Sequence, residues 1–284
     1  MDDIPAYDRL NTIYDRFQAD LDPVAWAAYI HGLYLEWRLP HTHQGTEGKP
    51  LLLDLGCGTG RMTAGFVSLG YDIIGVDISP LMLEQAMFNL TEAGATPLLL
   101  LQDMCQFELY GTVDLITCLL DTVNHIVDET QLRSFIARCA NYLHPGGIFI
   151  FDLATEYHFA EVLGDAEFFE IAEDYALLWQ NSYFPEMALS RSEITLFEAM
   201  QEGVYRREDV IIEERHYPVS MMVNLLQEAG FINIQVREDG PASEDDPVAN
   251  ERERVFIVAR SGKPLSDEDL ITGTADGIAL SSSL

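Results

Sequence analysis

The sequence predicts a doubly wound α/β fold, because near-continuous aliphatic runs alternate with amphipathic helical segments between residues 50 and 153. Strands that are covered on both faces of a parallel sheet are typically aliphatic along their whole length. After Leu153, three strand-like runs follow one another with no helix between them. We therefore expect a seven-stranded, mostly parallel sheet together with a small inserted antiparallel sheet.

The elements follow in order along the chain. Helical spacing predicts two amphipathic helices before residue 39, with Asp22 as the N-cap and Pro23 in the first turn of the second helix. A break at 144–147, HPGG, separates the last helix of the first half from the strand after it. The pattern predicts strands at 50–55, 71–77, 96–103, 113–120, 148–153, 176–184, 189–200, 204–217, 231–239 and 254–260, and helices at 59–70, 79–94, 128–143 and 218–230.

These elements divide the chain into five regions. Residues 1–40 are predicted to be helices that cover the site, and 41–153 the main ligand-binding core. Residues 154–216 form the inserted sheet, which would serve an acceptor or an oligomer contact. Residues 217–260 complete the core and 261–284 form a tail.

The net charge of the chain limits the classes of partner that we expect it to bind. Sixteen basic residues against 47 acidic ones give a formal charge of −31. Such a charge repels phosphate backbones and anionic membrane surfaces, so we expect neither a nucleic acid nor a membrane as a partner. The N-terminus has no hydrophobic signal core, and no apolar run approaches the ~18 residues of a membrane span. We predict a soluble cytoplasmic protein.

Cysteine and histidine usage gives no sign of a metal site. The four cysteines lie far apart and include no CxxC pair, so neither a disulfide framework nor a structural zinc site is expected. His41 and His43 have the spacing of a ligand pair, but no third ligand accompanies them. We predict no bound metal.

The stretch LLLDLGCGTG at 51–60 indicates a ligand site. Three glycines in five residues suit a tight turn between strand and helix, where a ligand approaches the main chain. Asp77 ends the next strand, 21 residues after Gly56, where a carboxylate can accept hydrogen bonds from a ribose diol. Asp103 ends the third strand, within reach of an adenine edge. Together these residues predict an adenosine ligand.

The glycine spacing separates two classes of adenosine ligand. A dinucleotide fingerprint is GxGxxG, whereas here the third glycine comes one residue early. The form DLGCGTG resembles the first motif of class I S-adenosylmethionine-dependent methyltransferases of the small-molecule type, which have a Rossmann-like sheet. The resemblance extends over residues 50–260 and includes VDIS (76–79), QDM (102–104), DLITCLLDTVNHI (114–126), LHPGGIFIFDL (143–153) and LLQEAGF (225–231).

The resemblance implies S-adenosyl-L-methionine as cofactor, S-adenosyl-L-homocysteine as product and a small-molecule acceptor. Asp54 would hold the turn or meet the methionine ammonium through water, Asp77 would accept from the ribose and Asp103 from the adenine amino group. Residues 119–121 would lie beside the transferring methyl, and Tyr7 and Tyr14 would close over the cofactor. The implied cofactor-binding residues are Tyr14, Asp54, Gly56, Cys57, Gly58, Asp77, Ile78, Asp103, Met104 and Leu119.

The sequence says less about the residues that bind the methyl acceptor. Asp121 and His125 are the candidates to hold or deprotonate the acceptor, with His216 as a second possibility. The negative charge of the chain motivates the hypothesis of a cationic amine acceptor. Five aromatic residues of the inserted sheet either line the acceptor pocket or pack elsewhere, in that sheet's own core or in a homodimer contact: Trp179, Tyr183, Phe184, Phe197 and Tyr205.

Several alternatives stay open at the level of sequence. Asp54 and Asp77 also suit helix capping, and Tyr7 and Tyr14 suit packing at helical spacing. Asp121 and His125, with Asn124 between them, also suit loop capping. At the level of function, a protein that binds the cofactor without methylating is the main rival, and an NAD-dependent oxidoreductase is a weaker one.

Overall fold

The computed structural model describes residues 5–39, 45–201, 203–241 and 253–265. The strands of its main sheet are β1 (Leu51–Leu55), β2 (Asp72–Asp77), β3 (Leu98–Leu101), β4 (Val113–Cys118), β5 (Leu143–Ala154), β10 (Phe231–Arg237) and β11 (Arg254–Ser261). Their order is β10-β11-β5-β4-β1-β2-β3. The first five are parallel to one another, whereas β11 is antiparallel to both of its neighbours. The predicted seven-stranded, mostly parallel sheet is confirmed.

Helices cover both faces of this sheet. On one face lie α2 (Pro23–Trp37), α3 (Arg61–Ser68) and α4 (Pro80–Glu92), and on the other lie α5 (Glu129–Tyr142) and α6 (Val219–Glu228). Successive residues of a strand point to opposite faces, so Leu52 packs with the first group of helices and Leu53 with the second. This two-sided burial explains why the strands are aliphatic throughout.

Side chains cap the starts of α2, α4 and α5, and the prediction of Asp22 as an N-cap is confirmed. Asp22 accepts hydrogen bonds from the backbone N–H groups of residues 24 and 25, at 2.9 and 3.2 Å, with Pro23 at the first helical position. The Ser79 hydroxyl accepts from Met82 N at 3.0 Å. Asp128 accepts from Gln131 N at 2.9 Å. Each cap satisfies a donor that the first helical turn leaves unpaired.

The inserted sheet has four antiparallel strands, β6 (Glu167–Ile171), β7 (Tyr175–Phe184), β8 (Leu189–Gln201) and β9 (Val204–Arg215), in that order. The sequence predicted the last three and missed β6. All five residues of β6 are exposed, and the strand pairs with β7 alone. An edge strand with no buried face shows no alternation of apolar and polar residues, so its sequence gives no period-2 signal.

The HPGG segment was predicted as a break and belongs to strand β5 instead. Gly146 has φ +79° there, and the pairing between β4 and β5 shifts register between Val113 and Leu115. Glycine and proline therefore mark an irregularity within the strand rather than its start.

The N-terminal segment joins the two sheets. It comprises a 3₁₀ turn at Ala6–Arg9 and helix α1 (Asn11–Phe17). Its Leu10 and Ile13 are buried in an apolar cluster with side chains of the inserted sheet. On its other side, the Thr59 hydroxyl of the glycine turn donates to Asp15 at 2.6 Å, and the Arg61 guanidinium of α3 donates to Leu21 O at 2.9 Å. The segment is thus fastened to both parts of the fold.

Several sequence-based predictions are not tested by this structure. His41 and His43, residues 242–247 of the acidic loop and residues 266–284 of the tail lie outside the described residues. The region boundaries, the possible homodimer and the cytoplasmic location stay predictions. In the described part of the chain, no helix combines the length and the apolar character needed to cross a bilayer.

Asn124 ties the loop after β4 to two strands, and its removal should be costly. It is fully buried, its amide donates to Arg215 O at 2.8 Å, and its carbonyl accepts from Ala154 N at 3.0 Å. We expect Asn124→Ala to lower the free energy of unfolding by about 3 kcal/mol, because each buried backbone group left unpaired costs about 1–3 kcal/mol.

Denaturant unfolding followed by circular dichroism measures this difference. The matched control is Asn141→Ala, at an exposed position near the end of α5, which should change the free energy of unfolding by less than about 0.5 kcal/mol. Equal losses in the two variants would contradict the role given to Asn124.

Candidate active site

A cavity of about 450 Å³ lies at the carboxyl ends of the parallel strands. The strand order reverses between β1 and β4, and open α/β sheets bind ligands at such a reversal. The cavity walls come from four sources: the glycine turn after β1, the ends of β2 to β4, the N-terminal segment, and the inner face of the inserted sheet. One cavity therefore reaches both sheets.

The glycine turn is shaped by the loop after β4. Gly56 N and Cys57 N both donate to Val76 O, at 2.8 and 3.1 Å, which holds the turn against β2. Gly56 has φ +69°, and a Cβ atom there would lie 2.4 Å from Thr122 Cγ2. Only glycine fits this combination of backbone conformation and close approach.

Asp77 stabilises the same turn. Its two carboxylate oxygens accept from Gly58 N and from Ser79 N, each at 2.8 Å. Burial raises its pKa, although these backbone hydrogen bonds act in the opposite direction. The capping alternative for α4 is excluded, because Ser79 is the cap. Asp77 lines the cavity and presents its carboxylate beside the turn.

Asp54 is a structural link in this arrangement. Thr63 of α3 and Thr117 of β4 each donate a hydroxyl hydrogen bond to it, at 2.5 and 2.8 Å. Burial raises the pKa of Asp54 to about 6, although the two threonines act in the opposite direction. Asp54, Cys57 and Leu119 line a small cavity of about 30 Å³ next to the large one. Asp54 thus joins the first turn of α3 to β4 and is not the N-cap of α3, while its predicted roles at the glycine turn and the cofactor stay predictions.

The end of β3 forms the opposite wall. Asp103, Met104 and Ile78 all line the large cavity. Asp103 accepts from Cys105 N at 2.7 Å and from the Gln106 amide at 3.2 Å, so the carboxylate is fixed by its own loop.

Two N-terminal tyrosines form a third wall. The rings of Tyr7 and Tyr14 meet edge to face, with centroids 5.7 Å apart, and both line the cavity. Tyr7 Oη lies 2.9 Å from His125 Nε2, and the Gln18 amide donates to Tyr14 Oη at 3.1 Å. Burial raises the pKa of both hydroxyls, so they stay protonated at neutral pH. These tyrosines are cavity groups and not merely helix packing.

Asp121 belongs to a buried charge network. Arg254 Nη1 lies 3.3 Å from Asp121 Oδ1 and also bonds Asp152. Asp121 N donates to Asp152 Oδ2 at 2.8 Å, and both Leu120 and Asp121 have positive φ, 60° and 53°. Burial acts to raise the pKa of Asp121, but Arg254 together with His158 and His125 outweighs burial, and the pKa is lowered. Asp121 is therefore an anion at neutral pH.

His125 and Glu214 face each other at the end of the cavity next to the inserted sheet. His125 Nε2 lies 3.8 Å from Glu214 Oε1. Burial lowers the pKa of His125, although Asp121 and a hydrogen bond to the backbone of Glu213 oppose this. Burial, reinforced by the Asp121 carboxylate, raises the pKa of Glu214 to about 8. At pH 7 the pair is a neutral imidazole beside a protonated carboxyl.

Sequence reasoning missed Glu214, although a signal for it exists. Val210 and Ile212 on β9 pack into the cluster between the inserted sheet and the N-terminal segment. Strand alternation puts residue 214 on the same inward face. An acid in the inward register of an otherwise apolar strand is unusual and marks a candidate site residue.

The rest of the cavity wall next to the inserted sheet is mostly apolar. Of the five aromatic residues proposed for it, Trp179 lines the cavity, whereas Tyr183 stacks on Phe159 and Tyr205 is exposed. His216 is not among the described lining residues. The apolar lining of this side comprises Leu10, Ile13, Leu177, Trp179, Ile194 and Ile212.

Comparison with known proteins agrees with this geometry. Residues 52–147 match the family described as "Methyltransferase domain". This part of the chain is similar to a methyltransferase domain. It spans β1 to the start of β5 and includes the glycine turn, Asp77 and Asp103, so the resemblance to class I methyltransferases is confirmed.

Three known proteins are similar to this chain over a longer stretch than residues 52–147. A protein of Geobacillus sp. (strain WCH70), named as a methyltransferase, is 27% identical over 87% of this chain and 96% of its own length. One from Bacillus subtilis (strain 168), also named as a methyltransferase, is 27% identical over 91% of this chain and 98% of its own. A solved S-adenosylmethionine-dependent methyltransferase from Clostridium acetobutylicum ATCC 824 matches with TM-score 0.74 and 28% identity, over 91% of this chain and 100% of that one.

Gly56→Ala should lower the free energy of unfolding by more than the same substitution at a left-handed glycine with open space around it. Gly70 is the matched control, because its φ is +86° and no atom lies within 4 Å of a Cβ built there. Gly70→Ala should lower the free energy of unfolding by about 1–2 kcal/mol through backbone strain alone. Gly56→Ala adds the clash with Thr122, so denaturant unfolding should show a clearly larger loss; equal losses would contradict the close packing of the two loops.

The raised pKa of Glu214 predicts a pH-dependent stability. The ordinary pKa is 4.5 and that of the folded protein about 8, so between these values the folded state holds a proton that the unfolded state has released. The free energy of unfolding should therefore decrease as pH rises through this interval, by up to about 1.4 kcal/mol per pH unit from this group.

The difference between Glu214→Gln and the wild type isolates this contribution. Relative to the wild type, the variant should gain stability steadily from pH 5 to 8, as measured by denaturant unfolding at each pH. Glu213→Gln, one residue away and exposed, should give a pH-independent difference. A flat profile for Glu214→Gln would show that the buried carboxyl titrates normally.

Proposed function

We propose that this chain is an S-adenosylmethionine-dependent methyltransferase that moves a methyl group to a nitrogen or oxygen of a small-molecule acceptor by in-line displacement. The observation that carries the proposal is the single cavity that runs from the glycine turn to the inner face of the inserted sheet. Its first part offers main-chain and carboxylate groups suited to an adenosine ligand. Its second part is large and apolar enough for an acceptor.

The residues of the first part fit the cofactor. Gly56 and Gly58 have left-handed backbone and line the cavity, and a Cβ at position 58 would approach within 4 Å only Tyr14, at 3.9 Å. The main chain is therefore open to a ligand at this point. The Asp77 carboxylate suits a ribose diol, and that of Asp103 suits an adenine amino group.

When bound, S-adenosylmethionine supplies a methyl group carried on a positively charged sulfur. The chain must then align the acceptor and exclude water. Correct orientation alone gives reacting groups effective molarities on the order of 10⁵–10⁸ M. Tyr7 and Tyr14 close one side of the cavity against solvent. The anionic Asp121 can hold a polar hydrogen of the acceptor, and the neutral His125 holds the Tyr7 hydroxyl beside it.

The experiment that tests the cofactor site is calorimetric titration with S-adenosylmethionine and S-adenosylhomocysteine. We expect binding in the micromolar range, as is common for enzyme ligands. Asp77→Asn should weaken both ligands by about tenfold or more, because a charge-assisted hydrogen bond is lost. Asp20→Asn, at an exposed position outside the cavity lining, is the matched control and should bind as the wild type does.

Two outcomes distinguish the rival functions. A folded wild type that binds neither ligand, or that binds NAD instead, would contradict the methyltransferase proposal. A wild type that binds both ligands but forms no S-adenosylhomocysteine with any amine, alcohol or phenol in an acceptor screen would support the binding protein that does not methylate.

A further inference from the structure

Glu214 is a polar group of the acceptor side with unused bonding capacity. Its side chain is 12% exposed and lines the cavity. His125 Nε2 lies 3.8 Å from Glu214 Oε1, which is too long for a hydrogen bond. Among the described residues its carboxyl makes no hydrogen bond. A buried carboxyl without partners is costly, so a ligand that completes its bonding is expected.

The surroundings of Glu214 define the charge of that ligand. The titratable and charged groups that face it are Asp121, His125, Tyr7 and Arg254. Arg254 is already shared between Asp121 and Asp152. No lysine or arginine is present among the described residues that line the large cavity. The neighbouring Asp121 carboxylate and the lack of a lining cation therefore favour a partner that brings hydrogen-bond donors and positive charge.

The side chains that line the cavity near Glu214 indicate the chemical character of the rest of the ligand. Leu10 and Ile13 come from the N-terminal segment, and Leu177, Ile194 and Ile212 from the inserted sheet. These side chains offer apolar contact and no hydrogen bonds. A ligand that fits both the walls and the carboxyl has an apolar body and one amine.

We propose that Glu214 recognises the methyl acceptor, and that this acceptor is an amine on an apolar body whose ammonium nitrogen pairs with the Glu214 carboxylate. The inference rests on the methyltransferase function proposed above and names the substrate class of that same site.

Proton balance follows from this pairing. Without a ligand, the carboxyl is mostly protonated at pH 7, because burial raises its pKa to about 8. A bound ammonium stabilises the carboxylate, so binding releases the carboxyl proton to solvent. Before methylation, one N–H proton moves from the ammonium to the Glu214 carboxylate. The nitrogen is then neutral, and its lone pair would form the new bond to the methyl carbon while the bond from that carbon to the cofactor sulfur breaks and its electron pair stays on sulfur.

The test compares three probes with the same apolar body. Protein loaded with S-adenosylhomocysteine is titrated at pH 7 with cyclohexylamine, cyclohexanol and cyclohexanecarboxylate. Calorimetry in phosphate and in Tris, which differ in ionisation enthalpy, counts the protons released. The variants are Glu214→Gln and its control Glu213→Gln, which lies on the exposed face of the same strand. Thermal unfolding verifies that each variant is folded.

In the wild type and in Glu213→Gln, we expect the amine to bind at least about tenfold more tightly than the alcohol, with release of about one proton. In Glu214→Gln, the preference for the amine and the proton release should both disappear, while the alcohol binds as before.

A wild type that shows no preference for the amine would overturn the proposal, and so would a Glu214→Gln variant that keeps both preference and proton release. The wild-type proton count needs no variant, so it tests the proposal even if Glu214→Gln does not fold. Failure of S-adenosylhomocysteine to bind would count against the methyltransferase function itself, which separates the two failures.

Discussion

The site depends on the buried guanidinium of Arg254, which stabilises two carboxylates at the end of the main sheet. Asp152 is fully buried and Asp121 largely so, and without a cation both would be expensive to ionise. Arg254 also lies over the Trp26 ring, with 5.5 Å between the guanidinium carbon and the ring centroid. Because Asp152 accepts from Asp121 N, the network fixes the backbone of the loop after β4 as well as its charge.

The fixed loop after β4 also shapes the glycine turn on the other side of the cavity. The positive φ values of Leu120 and Asp121 are strained for residues with side chains, and such strain persists only where surrounding contacts impose it. The loop then brings Thr122 against the glycine turn at Gly56. The two halves of the cavity are therefore not independent, since a single loop shapes the turn on one side and carries Asp121 and His125 on the other.

Most of the fold and the part of the cavity wall around the glycine turn could be predicted from the sequence, because both depend on local signals. Buried parallel strands have aliphatic runs, and a left-handed turn needs glycine at Gly56 and Gly58. Asp77 and Asp103 follow directly from their positions at strand ends. The acceptor side depends on pairing between distant segments. Arg254 meets Asp121 from 133 residues away, and Glu214 becomes a cavity residue only when β9 packs against the N-terminal segment.

The absence of lysine and arginine among the described lining residues of the cavity has a consequence for selectivity in a cell. Most small metabolites carry phosphate or carboxylate groups and are anions. In this cavity they meet the Asp121 carboxylate, and the Arg254 guanidinium beside it is shared with Asp152 and does not line the cavity. Repulsion between like charges does not depend on the shape of a ligand. The cavity can therefore reject anionic metabolites even though its apolar walls would accept ligands of many shapes.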